Sequence, residues 1–194
     1  MKKILREDNR MRKLIFVTGN MEKIAIARMA LQNTRFEIEV KKINCEEIQS
    51  DNIEDIAVKS AEFASKILDS ALVKVDSGLF IEALNGFPGP YSAFVEGKLD
   101  AKLILRMMKG LDNRKAFYKE ALAYCSSGNP TVVFSSYTHG HISLRASGKL
   151  GWNFDRIFIA NKDNKTMAHF QDKERISRYS NKNWKDLIAF LEKK

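Results

Sequence analysis

Apolar residues fall along this chain in short runs whose spacing changes from segment to segment, and the spacing predicts alternating strands and helices. Residues 13–17 (KLIFV) form an apolar run of strand length that stops at Thr18-Gly19-Asn20; Ile24, Ala27, Met29, Ala30 and Leu31 then recur at helical spacing. Residues 36–43 (FEIEVKKI) alternate as a half-buried strand does. Ile53, Ile56, Ala57, Ala61, Phe63, Ala64 and Ile67 place an amphipathic helix over 53–68. Leu72, Val73 and Val75 then lead into residues 75–93, VDSGLFIEALNGFPGPYSA, which combine an acidic turn, an apolar strand and a second, proline-bearing turn. Residues 100–111 have a helical pattern, and 116–144 supply strand segments broken at Ser126-Ser127-Gly128-Asn129-Pro130. Residues 154–160 (FDRIFIA) form a further strand candidate and 176–191 a closing helix. Strands alternating with helices, then a strand-rich middle, predict an α/β fold.

No linker, repeat or low-complexity tract interrupts residues 13–194, which read as one domain. Residues 1–12 are polar and precede the strand; they read as a frayed N-terminal extension or as residues ahead of the native start. A chain of 194 residues with 44% hydrophobic content suits one or two compact lobes. No apolar run approaches the roughly 18 residues a spanning helix needs, and no h-region follows the Lys-rich start, so a cytoplasmic protein without membrane contact is expected. Cys45 and Cys125 lie far apart without metal-ligand spacing, which predicts reduced thiols and no zinc.

Lys and Arg number 33 against 24 Asp and Glu, a net charge of +9. That excess favours a polyanionic partner, nucleic acid or phosphorylated metabolite, and charge alone does not choose between them.

Two features carry candidate chemistry. A strand ending in a small turn that opens a helix presents backbone N–H groups at a positive helix end, so Thr18-Gly19-Asn20 is either an anion site or an ordinary strand terminator. Lys23 adds a cation about one turn further on. Asp76, followed by Ser77 and Gly78, sits where a carboxylate could hold a hard cation that bridges substrate phosphates, or where it could simply close an Asx turn. Glu46, Glu47, Asp51, Glu54 and Asp55 add acids that cap or solvate the next helix. His139 and His141 alternate on one strand with no third ligand nearby.

FVTGNMEK at 16–23, VDSGLFIEALNGFPGPYSAFV at 75–95, GWNFDRIF at 151–158 and KTMAHF at 165–170 resemble, in order, the inosine triphosphate pyrophosphatase family of house-cleaning nucleotide hydrolases. The resemblance runs from Lys13 to the end, and DSGLxxxALNGxPGxYSA is its specific part. It implies an α/β fold with an elongated mixed central sheet, flanking helices and two lobes around an active cleft, assembled as a homodimer. It implies hydrolysis of ITP, dITP and XTP to the monophosphate and pyrophosphate, with a nucleotide rather than a nucleic acid as partner. Matching positions give Thr18, Gly19, Asn20 and Lys23 to the triphosphate, and Ser77 and Gly78 to the same turn. Glu47 and Asp76 would hold Mg2+, with Asp76 also orienting or deprotonating water and Lys23 sharing the catalytic work. Trp152, Phe154 and Asp155 stand for an aromatic FGYDP or FGWDP loop at the base. Lys173, Ser177 and Arg178 stand for the lysine and SHR motif that read the 6-oxo edge of the purine.

Departures from the family pattern are specific. Ile26 replaces the acid of KxxE, Val75 replaces the Glu of EDSG, Arg178 and Tyr179 replace the His and Arg of SHR, and the usual Pro after Asp155 is absent. These departures and the positive charge motivate an alternative, a catalytically weakened nucleotide- or nucleic-acid-binding protein of the same fold.

Overall fold

The computed structural model describes residues 10–193. The expected N-terminal extension falls mainly on residues 1–9, outside the described residues, and the first strand starts at Arg12. In chain order the strands are β1 (Arg12–Val17), β2 (Phe36–Lys41), β3 (Leu72–Ile81), β4 (Pro88–Gly89), β5 (Lys115–Cys125), β6 (Val132–Ile142) and β7 (Phe158–Ala160). The helices are α1 (Met21–Ala30), α2 (Ile53–Leu68), α3 (Ser92–Lys98), α4 (Ala101–Met107), α5 (Asp172–Ile176) and α6 (Lys182–Glu192).

One mixed sheet of order β2-β1-β3-β5-β6-β7 organises them, with β4 added at the far end of β3. β1 is parallel to β2 and β3, whereas β3, β5, β6 and β7 run antiparallel. The expected α/β class, mixed central sheet and flanking helices are borne out.

Because side chains alternate across a strand, the long strands serve two cores on one face. Val73, Val75 and Leu122 pack with Phe16 and with Trp184 and Leu187 of α6, the helix whose apolar stripe covers that end. Leu79, Ile81 and Ala116, further along the same face, pack with Ile104 of α4 and with Phe154 and Phe158. On the opposite face α2 lays Ile53, Ala57, Ala61 and Ala64 against Leu72, Ala121 and Ala123, the alanines letting helix and sheet approach closely.

Four expectations are corrected. Asp76-Ser77-Gly78 is not a turn: it lies mid-strand, because β5 pairs with β3 from Leu72 to Ile81 and the ladder overrides the turn propensity of Asp, Ser and Gly. Phe154, Asp155 and Arg156 form a single 3-10 turn, leaving only Phe158–Ala160 as strand. The closing helix expected over 176–191 begins only at Lys182: Ile176 ends the short α5, and Ser180 between them turns to donate its N–H to Thr138 Oγ1 at 2.8 Å. The helix expected over 100–111 stops at Met107, with Gly110 at φ +79°.

Candidate active cleft

The cleft begins as a gap in the sheet. β3 meets β1 only through Leu72 and Val73, and meets β4 only through Leu79 and Phe80. Between them no strand pairs with that edge of β3 among the described residues, while β5 stays paired on the other side. Gly78 keeps the gap narrow: a side chain there would collide with the Gly89 carbonyl, so β4 and the chain beyond it can lie close. Gly89 itself turns at φ +55°.

α1 delivers a cation into the gap. Asn20 caps it, its side chain accepting from the N–H groups of Glu22 at 2.8 Å and Lys23 at 3.1 Å, while Thr18 Oγ1 accepts from Asn20 N–H at 3.1 Å. One turn in, Lys23 Nζ donates to the Val75 carbonyl at 2.9 Å and lies 3.9 Å from Asp76 Oδ1. Asp76 Oδ1 also accepts from Ser77 N–H at 2.9 Å. Burial raises the Asp76 pKa, Lys23 and the Ser77 amide pull it back, and the charge of Glu47, from the segment before α2, pushes it up.

The resulting cavity, about 230 Å³, is lined by Ser77, Tyr118 and Glu120 of the two paired strands and by Trp152, Phe154 and Tyr179. The Trp152 loop is pinned from below. Asp155, fully buried, accepts from Trp152 N–H at 2.8 Å and from the Tyr179 hydroxyl at 3.1 Å, and pairs with Arg175 Nε at 3.3 Å. Arg175 also binds Glu22 at 3.2 Å, which ties the loop to α1. Burial raises the Asp155 pKa against these bonds. Glu96 of α3 accepts the Phe154 N–H at 2.8 Å, and burial pushes its pKa up to about 7.

Asn20, Lys23, Glu47, Asp76, Ser77, Gly78, Trp152 and Phe154 therefore line one cavity, as the sequence led us to expect. Phe154 is fully buried in the second core, so it is Trp152, 46% exposed, that offers an open aromatic surface. Other candidates lie elsewhere. Thr18 is buried beneath the turn, Gly19 faces a side depression with Met21 and Arg175, and Asp155 holds the loop from behind. Lys173 is exposed on α5 and does not line the cavity. Ser177 and Arg178 line a separate depression with Tyr137 and His139. There Arg178 pairs with Asp163 at 2.8 and 3.1 Å and lies 3.3 Å over the Phe170 ring.

Glu22, Glu96, Tyr118, Glu120 and Tyr179 also line the cavity and were not anticipated. Glu120 had a signal: it occupies the inward phase of β5 with Ala116, Tyr118 and Leu122, where a charge is out of place unless it faces a cavity.

The donor set suits Mg2+. Glu47 and Asp76 bring two carboxylates close enough for one to shift the other's pKa. Among the described residues no cluster of three or more His, Cys, Asp or Glu could hold a metal. Mg2+ commonly takes one or two protein carboxylates and completes its octahedron with phosphate oxygens and water.

No described helix is long and apolar enough to cross a membrane. An α/β sheet opened at one edge, with a lysine, two carboxylates and a half-exposed indole lining the opening, defines a cleft protein with a charged floor and an aromatic wall. The chain belongs to the Ham1 family, whose model matches residues 14–182. It is 37% identical to a dITP/XTP pyrophosphatase of Methanopyrus kandleri over 84% of this chain and 87% of that one. It is 40% identical to a dITP/XTP pyrophosphatase of Methanosarcina mazei over 78% and 82%. The Ham1 protein of Staphylococcus aureus superposes with a TM-score of 0.77 at 27% identity, over 93% of this chain and 98% of that one.

Proposed function

We propose that this chain hydrolyses non-canonical purine nucleoside triphosphates, ITP, dITP and XTP, to the monophosphate and pyrophosphate, and so cleanses the nucleotide pool. Family membership and its dITP/XTP pyrophosphatase relatives support the reaction. The observation that carries it to this cleft is the Lys23–Asp76 pair lodged in the gap of β3, in the same cavity that Trp152 lines.

In this reading Lys23 and Asn20 bind the triphosphate, and Glu47 and Asp76 hold Mg2+. When bound there, Mg2+ neutralises charge that develops on the departing pyrophosphate. Asp76 orients the attacking water and accepts its proton; a carboxylate raised by burial is a better base than one in water. Trp152 stacks on the base. The enzyme works in the cytoplasm, in keeping with its free cysteines, as a homodimer.

Pyrophosphate release with Mg2+ across ITP, dITP, XTP, ATP and modified pyrimidine triphosphates tests the function. Turnover confined to the first three is expected. Binding of ITP without product would instead make this a nucleotide-binding protein.

A further inference from the structure

Trp152 borders two openings: the cleft, and the side depression that Arg175 and Met21 also line. Glu22 borders both as well. A half-exposed indole between two openings has more than one rotamer open to it, and stacking on a base in the cleft requires one of them.

Glu22 supplies what fixes the ring. It sits in the first turn of α1, next to Lys23, with its side chain largely buried. Its Oε1 accepts from Arg175 Nε at 3.2 Å, and the same Nε lies 3.3 Å from Asp155 Oδ2, the oxygen that accepts the Trp152 backbone N–H at 2.8 Å. A side chain at Gly151, where φ is +72°, would collide with that Oδ2, so the loop closes directly on the pair. One guanidinium thus holds the Glu22 carboxylate in a set place relative to the Trp152 backbone. Burial and the charge of Asp155 raise the Glu22 pKa, whereas Arg175 and the Trp152 side chain lower it. Indole has a single polar group, an N–H that only donates, so the ring turns that edge toward Glu22.

We infer that Glu22 is a positioning residue for Trp152: held by Arg175, it accepts the indole N–H and keeps the ring at the cleft rather than in the side depression. The consequence for nucleotide binding rests on the pyrophosphatase reading; the contact itself does not.

The experiment is a double-mutant cycle of Glu22→Met with Trp152→Phe, which keeps an aromatic face and loses the donor. KM and kcat for ITP, the affinity of IMP and inhibition by inorganic pyrophosphate are measured in each variant. Glu22→Met should weaken KM and IMP affinity about tenfold, the weight of one hydrogen bond to a charged acceptor. Pyrophosphate, which has no base, should inhibit as before, and kcat should stay within about threefold. In the Trp152→Phe background the same substitution should change KM and IMP affinity by less than about twofold. Glu22→Gln keeps an accepting oxygen without the charge and should fall between, which also covers a Met variant that fails to fold. The chain has two tryptophans and Trp184 is buried, so the emission lost in Trp152→Phe belongs to Trp152. That component should become more open to acrylamide quenching in Glu22→Met. Equal losses from Glu22→Met in both backgrounds, weaker pyrophosphate inhibition, or an unchanged Trp152 component overturns the inference and leaves Glu22 acting through Lys23 or through packing. If ITP is not hydrolysed, the pyrophosphatase reading fails by itself, and the Trp152 emission still decides the contact.

Discussion

Lys23 and Asp76 meet in the gap between β1 and β4, with Nζ 3.9 Å from Oδ1 and anchored on the Val75 carbonyl at 2.9 Å. The carbonyl occupies one of the three ammonium donors and leaves the others for an anion. The same contact favours the charged carboxylate, opposing the burial that raises its pKa.

Asp76→Asn should therefore abolish most turnover with the fold intact. The amide keeps the shape and can still accept from Ser77 N–H, while losing both metal affinity and basicity. A transition-state contact of about 4 kcal/mol corresponds to roughly a thousandfold in rate. The check is kcat/KM for ITP on protein with unchanged circular dichroism. A variant that keeps a tenth of wild-type activity would remove Asp76 from the chemistry.

Buried carboxyls should also make stability fall with rising pH. The Glu120 pKa is raised by burial from an ordinary 4.5 to about 7 in the folded protein, so the unfolded chain releases a proton that the native state keeps. The contribution is fully present below about pH 4.5 and is lost as pH rises through about 7. Glu120→Gln should raise Tm at pH 8.5, by at most about 3 kcal/mol of stability, and change it little at pH 4.5. Calorimetry at both values decides; an equal gain at both would assign the effect to amide packing.

Local periodicity made β1, α1 and α2 legible, because each buries one face whose spacing shows within a dozen residues. It failed at Asp76-Ser77-Gly78, where turn-forming residues are held extended by the β5 ladder contributed by residues 116–125. It failed again at Phe154, whose apolar neighbours suggest a strand while Asp155, Asn153 and Glu96 bind the loop into a 3-10 turn. Lys23 and Asp76 stood out from the residues themselves, a cation one turn past Thr18-Gly19-Asn20 and a carboxylate just after the apolar residues Leu72, Val73 and Val75, whereas Glu47 came only from the family resemblance. Glu120 was missed although it falls on the inward phase of β5, and only the register with β3 shows that it stands across from Ser77 in the cavity. The partner of Arg178 was invisible, since nothing local joins it to Asp163.

The two aromatics of the 151–156 loop should separate on mutation. Trp152 is half exposed at the cleft, whereas Phe154 is fully buried among Ile104, Ile157 and Phe158. Trp152→Ala should raise KM for every purine triphosphate together, because a π face does not distinguish the 6-substituent, and leave Tm nearly unchanged. Phe154→Ala should cost about 3–5 kcal/mol of stability. Chemical denaturation beside steady-state kinetics makes the test. A selective loss for ITP in Trp152→Ala would mean that this loop reads the base edge.

Arg178 provides the sharpest contrast between sequence and structure. In the family pattern it stands where a histidine reads the purine, and a guanidinium, all donor, would suit a 6-oxo acceptor. The structure commits it otherwise: two hydrogen bonds to Asp163, one to the Glu174 carbonyl at 2.7 Å, and a stack on Phe170 engage each of its three nitrogens and its plane. Tyr179, the next residue, turns back toward the cleft and bonds Asp155 instead. Reaching a base would require Arg178 to abandon a largely buried ion pair, leaving Asp163 without its partner. Arg178→Ala should therefore lower stability by about 1–3 kcal/mol and leave the ratio of kcat/KM for ITP over ATP within twofold of wild type. Asp163→Ala should match it in both respects, since the two side chains form one unit. A collapse of the ITP preference in Arg178→Ala, with Asp163→Ala still selective, would show that Arg178 leaves Asp163 for the nucleotide when the cleft is filled.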